Sequence, residues 1–344
     1  MARAYGLFAA MALVPYQEDS LRAAAGFWAA RSALAAGRAD GVTPNLERAA
    51  QFPFTFYGQL ALAQLGRAYD YRWTPPPVTA DGYARLVAAA PGVKRAVALA
   101  EAGEDIEADI ELRWSLGLID EALDDELLAV AVALDLPAAQ VDIAEHGKAA
   151  HREAGLYPIP RYEPATGFKA DRALIYGMMR QESKFKVEAT SRAGARGLMQ
   201  LMPRTASYMA KDRSLARGKG SNRLYDPSYN LDLGQSYVNH LISTGTGDLF
   251  DVAVAYNGGP GNLRRWKRDV EVTDSLLFIE SIPNPESRDY VEKVLTNVWI
   301  YHARLGQPAP SRDLVAAGKT PVYEALDEIA GENGLAEAEA MLRR

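Results

Sequence analysis

The stretch Asp171-Arg-Ala-Leu-Ile-Tyr-Gly-Met-Met-Arg-Gln-Glu182-Ser183 decides how the rest of the chain is read. Leu174, Ile175, Met178 and Met179 recur at helical spacing, and Phe185 continues the same stripe. Glu182 falls in register with them, on the apolar face. A charged carboxylate buried there without a partner is costly, so the group either holds its proton or finds a cation. At a helix end it can also turn out to solvent, or pair with Lys184 or Arg180. A carboxylic acid kept protonated near neutral pH is what general-acid cleavage of a glycosidic bond requires.

Three more blocks follow. Ser191-Arg-Ala-Gly-Ala-Arg-Gly197-Leu-Met-Gln200-Leu-Met202-Pro places two glycines around a turn and a short apolar run after it. It reads as a small hairpin against the Glu182 helix, with backbone open to close approach. In Ala253-Val-Ala-Tyr256-Asn257-Gly-Gly-Pro260-Gly-Asn262, a helix stops at the glycines and a new one begins near Asn262. No strand precedes these glycines and no Gly-Lys-Ser/Thr follows, so a phosphate loop is excluded. Tyr256 and Asn257 are placed to hydrogen-bond a polar ligand, or Asn257 simply caps. In Phe278-Ile-Glu-Ser-Ile-Pro-Asn284-Pro-Glu286-Ser-Arg-Asp-Tyr290-Val, Asn284 caps a helix with Pro285 at its first position. Glu286 suits the first turn of that helix.

Upstream, residues 1–150 are rich in Ala and Leu, with helical periodicity over 19–37, 54–66, 81–90 and 121–134. Asp19 and Ser20 are candidate caps and Gly37 a candidate stop. Gly- and Pro-containing breaks join helices of ordinary length, and no strand alternation is seen. The expected product is an irregular array of antiparallel helix pairs. The cluster Phe52, Phe54, Phe56, Tyr57 reads as core. The apolar run 5–14 after Arg3 faintly resembles a signal peptide but lacks a small-x-small cleavage site, and reads as a core helix. Three prolines in 151–167 mark a linker. Residues 168–306 form the second domain. Residues 307–344 form a tail with one helix, expected over 322–342.

The 344 residues are 48% hydrophobic and 24% charged, which describes a globular chain of about two domains. The net charge of −6 is unevenly spread. Residues 1–150 hold 12 Lys/Arg against 20 Asp/Glu, and residues 151–307 hold 22 against 17. A cationic section suggests an anionic partner, with Lys184, Lys186, Arg192 and Arg196 grouped around Glu182. The absence of cysteine excludes disulfides, thiolate metal sites and thiol nucleophiles. The four histidines form no ligand pair and Asp226…Asn230-Leu-Asp232 lacks the marks of a calcium loop, so no metal is expected. No apolar run is long enough for a spanning helix. No nucleic-acid-binding signature accompanies the cationic section.

In order and spacing, the four blocks resemble the catalytic domain of the soluble lytic murein transglycosylases. That family pairs Glu-Ser with Gly-Leu-Met-Gln-x-Met-Pro, Ala-Tyr-Asn-x-Gly-Pro-Gly and Glu-Ser-Ile-Pro…Glu-x-Arg-x-Tyr-Val. The likeness covers 168–306, and Pro53-Phe-Thr-Phe-Tyr-Gly-Gln-Leu-Ala resembles the same family's linker region. The resemblance implies a mainly α chain: an N-terminal helical superhelix or solenoid, then a lysozyme-like α+β catalytic domain with a small β-hairpin. The helical part is shorter than the family's ring, as in a shortened or N-terminally truncated member. It implies Glu182 as the single catalytic acid, with Ser191, Gln200, Met202, Tyr256, Asn257, Glu286 and Tyr290 holding the glycan. Gly258 stands where the family often has Ala, and Arg196 where small residues are common.

The implied partner is the peptidoglycan glycan strand, met by a monomer without cofactor, peripheral to the wall and in the periplasm. The implied reaction is non-hydrolytic cleavage between N-acetylmuramic acid and N-acetylglucosamine, leaving 1,6-anhydro ends with help from the substrate's acetamido group. Tyr256 would donate to that acetamido group or to Glu182. The alternatives are a hydrolytic muramidase on the same fold and a non-catalytic peptidoglycan-binding scaffold.

Overall fold

The computed structural model describes residues 1–15 and 17–327. Helices dominate, and β structure among the described residues is confined to isolated bridges. The mainly helical class expected from the sequence is borne out. The described residues form two compact units that interleave along the sequence: 1–69, 169–181 and 237–327 in one, 70–168 and 182–236 in the other. The sequence reading instead divides the chain at single points.

The first unit is centred on the long helix Pro285–Arg304, which buries Val291, Val294, Leu295, Val298 and Trp299 as its spacing demands. Asn284 caps it by accepting from the Glu286 and Ser287 amides, with Pro285 at the first position. Of the aromatic cluster, Phe56 and Tyr57 are core, the Phe56 ring stacking on Trp299 with centroids 5.1 Å apart and Phe27 lying 5.2 Å from Tyr57, whereas Phe52 and Phe54 are only half-buried, Phe52 under the Arg22 guanidinium and Phe54 edge-on to Tyr69. The helix Arg172–Glu182 meets Pro285–Arg304 at Gly177. A Cβ on Gly177 would sit 2.9 Å from Val298 Cγ2 and 3.0 Å from the Val298 amide nitrogen, so the contact admits no side chain. The Asn297 amide donates to the Gly177 carbonyl there, at 3.2 Å.

Several local expectations are corrected in this unit. The helix Asp19–Ala35 is preceded by Glu18 and has no side-chain cap, so Asp19 serves only as first-turn negative charge. The N-terminal helix Ala2–Met11 buries none of its residues and rests its half-buried face on the next helix, Phe8 stacking on Trp28. It is not a core helix, because its apolar residues face more than one side. The helix after Tyr256-Asn257 begins at Pro260 rather than near Asn262. In the tail, Pro310–Ala316 is helical, whereas Val322 is extended and bridges Asp248. There the Pro321 carbonyl accepts from the Leu249 amide and the Tyr323 amide donates to the Gly247 carbonyl, which takes these residues out of any helix. The rest of the helix expected over 322–342 lies outside the described residues from 328 onward.

The second unit contains the helices Ala80–Ala89, Gly92–Glu101, Asp105–Leu116, Asp124–Ala133 and Pro137–His146. They bury Leu86, Val93, Leu112, Leu127, Leu128, Leu136 and Ile143 against one another. The same unit holds the hairpin. Thr190 bridges Arg196 and Arg196 bridges Leu201, both antiparallel. Its anchor is Asn230, which is fully buried. The Asn230 amide donates to the carbonyls of Arg196 (3.0 Å) and Leu224 (2.8 Å), and its oxygen accepts from the Met199 amide (2.8 Å). Gly197 sits against it with φ +76°, where a Cβ would come within 2.4 Å of Asn230 Nδ2.

Asn230→Ala leaves three backbone groups without their partner in this region. It should lower the free energy of unfolding by about 2–4 kcal/mol, measured by urea denaturation. A change within experimental error would show that water replaces the side chain freely.

Candidate active site

Glu182 is the last residue of the helix Arg172–Glu182 and is half-buried, and Ser183 and Phe185 just after it are buried. Helical propensity alone does not extend past it. Lys184 and Phe185 take left-handed backbone conformations, φ +49° and +63°. Such values are uncommon for residues with a Cβ and persist only where surrounding structure imposes them. The Phe185 ring is 1% exposed and serves as one anchor.

The expected cluster of substrate-facing cations is corrected here. The Lys184 ammonium pairs with Glu145, and Lys186 pairs with Asp142 at 2.9 Å. Their charge is spent on the helix Pro137–His146, because those carboxylates stand on one face of it. Arg196 donates to Asn222 Oδ1 at 2.7 Å and lies over the Tyr225 ring. Arg192 is exposed.

In the same unit, Ser191 is exposed and its hydroxyl accepts from the Ala195 amide at 3.0 Å, closing the turn. Gln200 has φ +44° and donates to the carbonyls of Ala189 (3.0 Å) and Gly197 (2.9 Å). Both amide hydrogens being so used, its carbonyl oxygen is the group that can meet a ligand hydroxyl. Met202 is 41% exposed, immediately before the helix Pro203–Ala210. The hairpin thus gathers Ser191, Gln200 and Met202 after Glu182.

Tyr256, Asn257, Glu286 and Tyr290 belong to the first unit. The Tyr256 ring lies 5.3 Å from that of Tyr237, which the periodicity did not single out. Asn257 lies inside the helix Leu249–Gly258 and is not a cap; its oxygen accepts from the Ser287 hydroxyl at 2.7 Å. That bond ties the Ala-Tyr-Asn block to the start of Pro285–Arg304, where Glu286 is exposed. Tyr290 is 4% exposed, so its ring is part of the core.

Sequence reasoning also missed an acidic group in this unit. The Trp28 side chain hydrogen-bonds Tyr57, and Tyr57 donates to Glu280. Burial first, then the charges of Glu280 and Asp289, push Glu292 up to about 8. Burial raises the Tyr57 hydroxyl well above its ordinary range, with Glu280 and Glu292 adding to the effect. Among the described residues, no group of three His, Cys, Asp or Glu could hold a metal ion. No helix among them is long and apolar enough to cross a membrane.

Residues 162–278 match the family described as the transglycosylase SLT domain. The span takes in Glu182, the hairpin and the Tyr256-Asn257 block. Particular relatives are named lytic murein transglycosylases. The soluble lytic murein transglycosylase of Salmonella typhimurium is 36% identical over 142 residues, covering 41% of this chain and 22% of that protein. The membrane-bound lytic murein transglycosylase C of Haemophilus influenzae is 37% identical over 153 residues, covering 38% and 42%. Among solved structures, an inactive mutant of the lytic transglycosylase Slt of Pseudomonas aeruginosa superimposes with a TM-score of 0.73 at 26% identity. It covers 90% of this chain and 50% of that one. The chain therefore spans half or less of the length of these proteins.

Glu292 takes up in the folded protein a proton that the unfolded chain has already lost above its ordinary value of 4.5. It therefore lowers stability progressively as pH rises from 4.5 to about 8. Glu292→Gln should melt with wild type near pH 4.5 and increasingly above it toward pH 8. Thermal melts across that range test this; a gap that does not vary with pH would show that Glu292 titrates normally.

Proposed function

We propose that this chain is a lytic transglycosylase that cleaves the β-1,4 bond between N-acetylmuramic acid and N-acetylglucosamine in peptidoglycan. The observation that carries the reading is the placement of Glu182. It is a half-buried carboxyl ending an apolar helix, inside the span that matches the SLT domain. Glu182 gives its proton to the glycosidic oxygen as the C1–O bond breaks, and the N-acetylglucosamine side leaves as an alcohol. The substrate's acetamido oxygen shields C1. The Glu182 carboxylate then takes the proton of the muramyl C6 hydroxyl, and that oxygen bonds to C1. One group returns to its starting state, no water is consumed and no cofactor enters.

Gln200 is assigned as an acceptor for a glycan hydroxyl, consistent with its two spent donors. Met202 offers apolar surface to a sugar face, and Ser191 the remaining donor of its hydroxyl. Tyr256, Asn257, Glu286 and Tyr290 are assigned to glycan binding by the match of their blocks. The acid comes from one chain, so a monomer suffices. The substrate places the enzyme in the periplasm, peripheral to the wall.

Purified wall digested with the wild-type protein should yield muropeptides lighter by one water than those with reducing ends. Glu182→Gln should lower their release by about 10²- to 10⁴-fold, the range of general-acid catalysis. Retention of a tenth of the rate removes Glu182 from this role, and reducing ends in place of anhydro ends make the protein a hydrolase. The stem carboxylates make the wall anionic, so retention on it should fall between about 0.01 M and about 1 M salt as the Debye length shrinks. Pelleting assays measure this, and salt-independent retention would leave the excess cations of 151–307 without a binding role.

A further inference from the structure

The geometry points to the helix Pro137–His146 as a clamp on the acid, with Asp142 and Glu145 as positioning residues acting through Lys186 and Lys184. The inference deepens the proposed function and rests on it. A helix that ends on its functional carboxylate relies on the next residues for the direction of that carboxylate. Here the next residues include two left-handed positions, Lys184 and Phe185, which the chain does not adopt unaided. Lys184 and Lys186 flank the buried Phe185, and each is held by a carboxylate three residues apart on one helix.

The acidic side is itself fixed. Asp142 lies 3.9 Å from the Arg113 guanidinium, and Arg113 donates to Asp109 Oδ2 at 2.9 Å. Asp109 is buried, and its other oxygen accepts from the Ala139 amide at 2.8 Å. Asp142 Oδ1 is buried without a hydrogen-bond partner, so the carboxylate depends on the cations at its other oxygen. A continuous series, Ala139 amide, Asp109, Arg113, Asp142, Lys186, thus runs from the interior of the helical array to the backbone beyond Glu182. A cavity of about 200 Å³ lies along it, lined by Ile106, Asp109, Arg113, Tyr162, Phe185 and Lys186 among others. The space leaves the loop free to move if the ion pairs open. Displacement of a catalytic group by the order of 1 Å is enough to cost about 10²-fold in rate.

The test uses the full chain with a soluble glycan substrate. Asp142→Asn, Glu145→Gln and the double variant are compared with wild type for kcat, KM, melting temperature and amide hydrogen exchange at 183–187. The double variant should lose roughly 10- to 100-fold in kcat with KM within about threefold, and exchange at 183–187 should rise. Asp142→Lys combined with Lys186→Asp should recover at least about tenfold over Asp142→Lys alone, since the pair is restored with reversed sign. A recovery of this kind is not expected of residues that serve stability only. Turnover by the double variant equal to wild type overturns the clamp and leaves the functional reading intact. So does a loss of kcat without rescue, at unchanged exchange. Wild-type protein that releases no anhydro product overturns the functional reading itself.

Discussion

A carboxyl at the last residue of a helix has no further turn to set its direction. The whole arrangement around Glu182 follows from that constraint. The helix body is fixed by apolar burial and by its close approach to Pro285–Arg304 at Gly177, where a side chain would not fit. The end is fixed by something else: two left-handed residues, a buried phenyl ring and two ion pairs. Apolar packing is non-directional, whereas ion pairs and hydrogen bonds select an orientation. The division of labour between the helix and the segment that follows it matches that difference.

The hairpin after Glu182 shows the same logic at smaller scale. Two bridges give it little strand structure of its own. Its shape comes from Asn230, whose amide satisfies three backbone groups from two other segments. A buried amide used this way costs little when every group is paired and much when one is lost. Gln200 extends the pattern by spending both donors on the hairpin while keeping an acceptor. A residue that a motif presents as a ligand contact can thus also hold the backbone of its own hairpin.

Charge behaves differently in sequence and in space. The cations grouped around Glu182 suggested a surface prepared for an anionic polymer. Two of them neutralise the acidic helix Pro137–His146 instead, so a part of the excess in 151–307 complements the deficit in 1–150. Net charge along a chain reports on solvent and partners only after internal pairs are removed. The Glu292 site shows the converse: burial, then the charges of Glu280 and Asp289, raise its proton affinity, which no count of charges along the chain registers.

The helical class, the core positions of Phe56 and Tyr57, the capped start of Pro285–Arg304 and the register of Glu182 were legible in the sequence. Each is set by local periodicity, by capping chemistry or by the preference of apolar groups for one face. The order of the four motif blocks was legible for the same reason, since spacing is a property of the chain. What only the tertiary structure decided was partnership. Which acid meets Lys184, which hydroxyl meets Asn257, and that Asn230 anchors the hairpin all depend on residues far apart in sequence. So does the interleaving of the two compact units. Hydrogen bonds and ion pairs reach only a few ångströms, so they are settled by where the fold brings the chain together, and no local pattern records that.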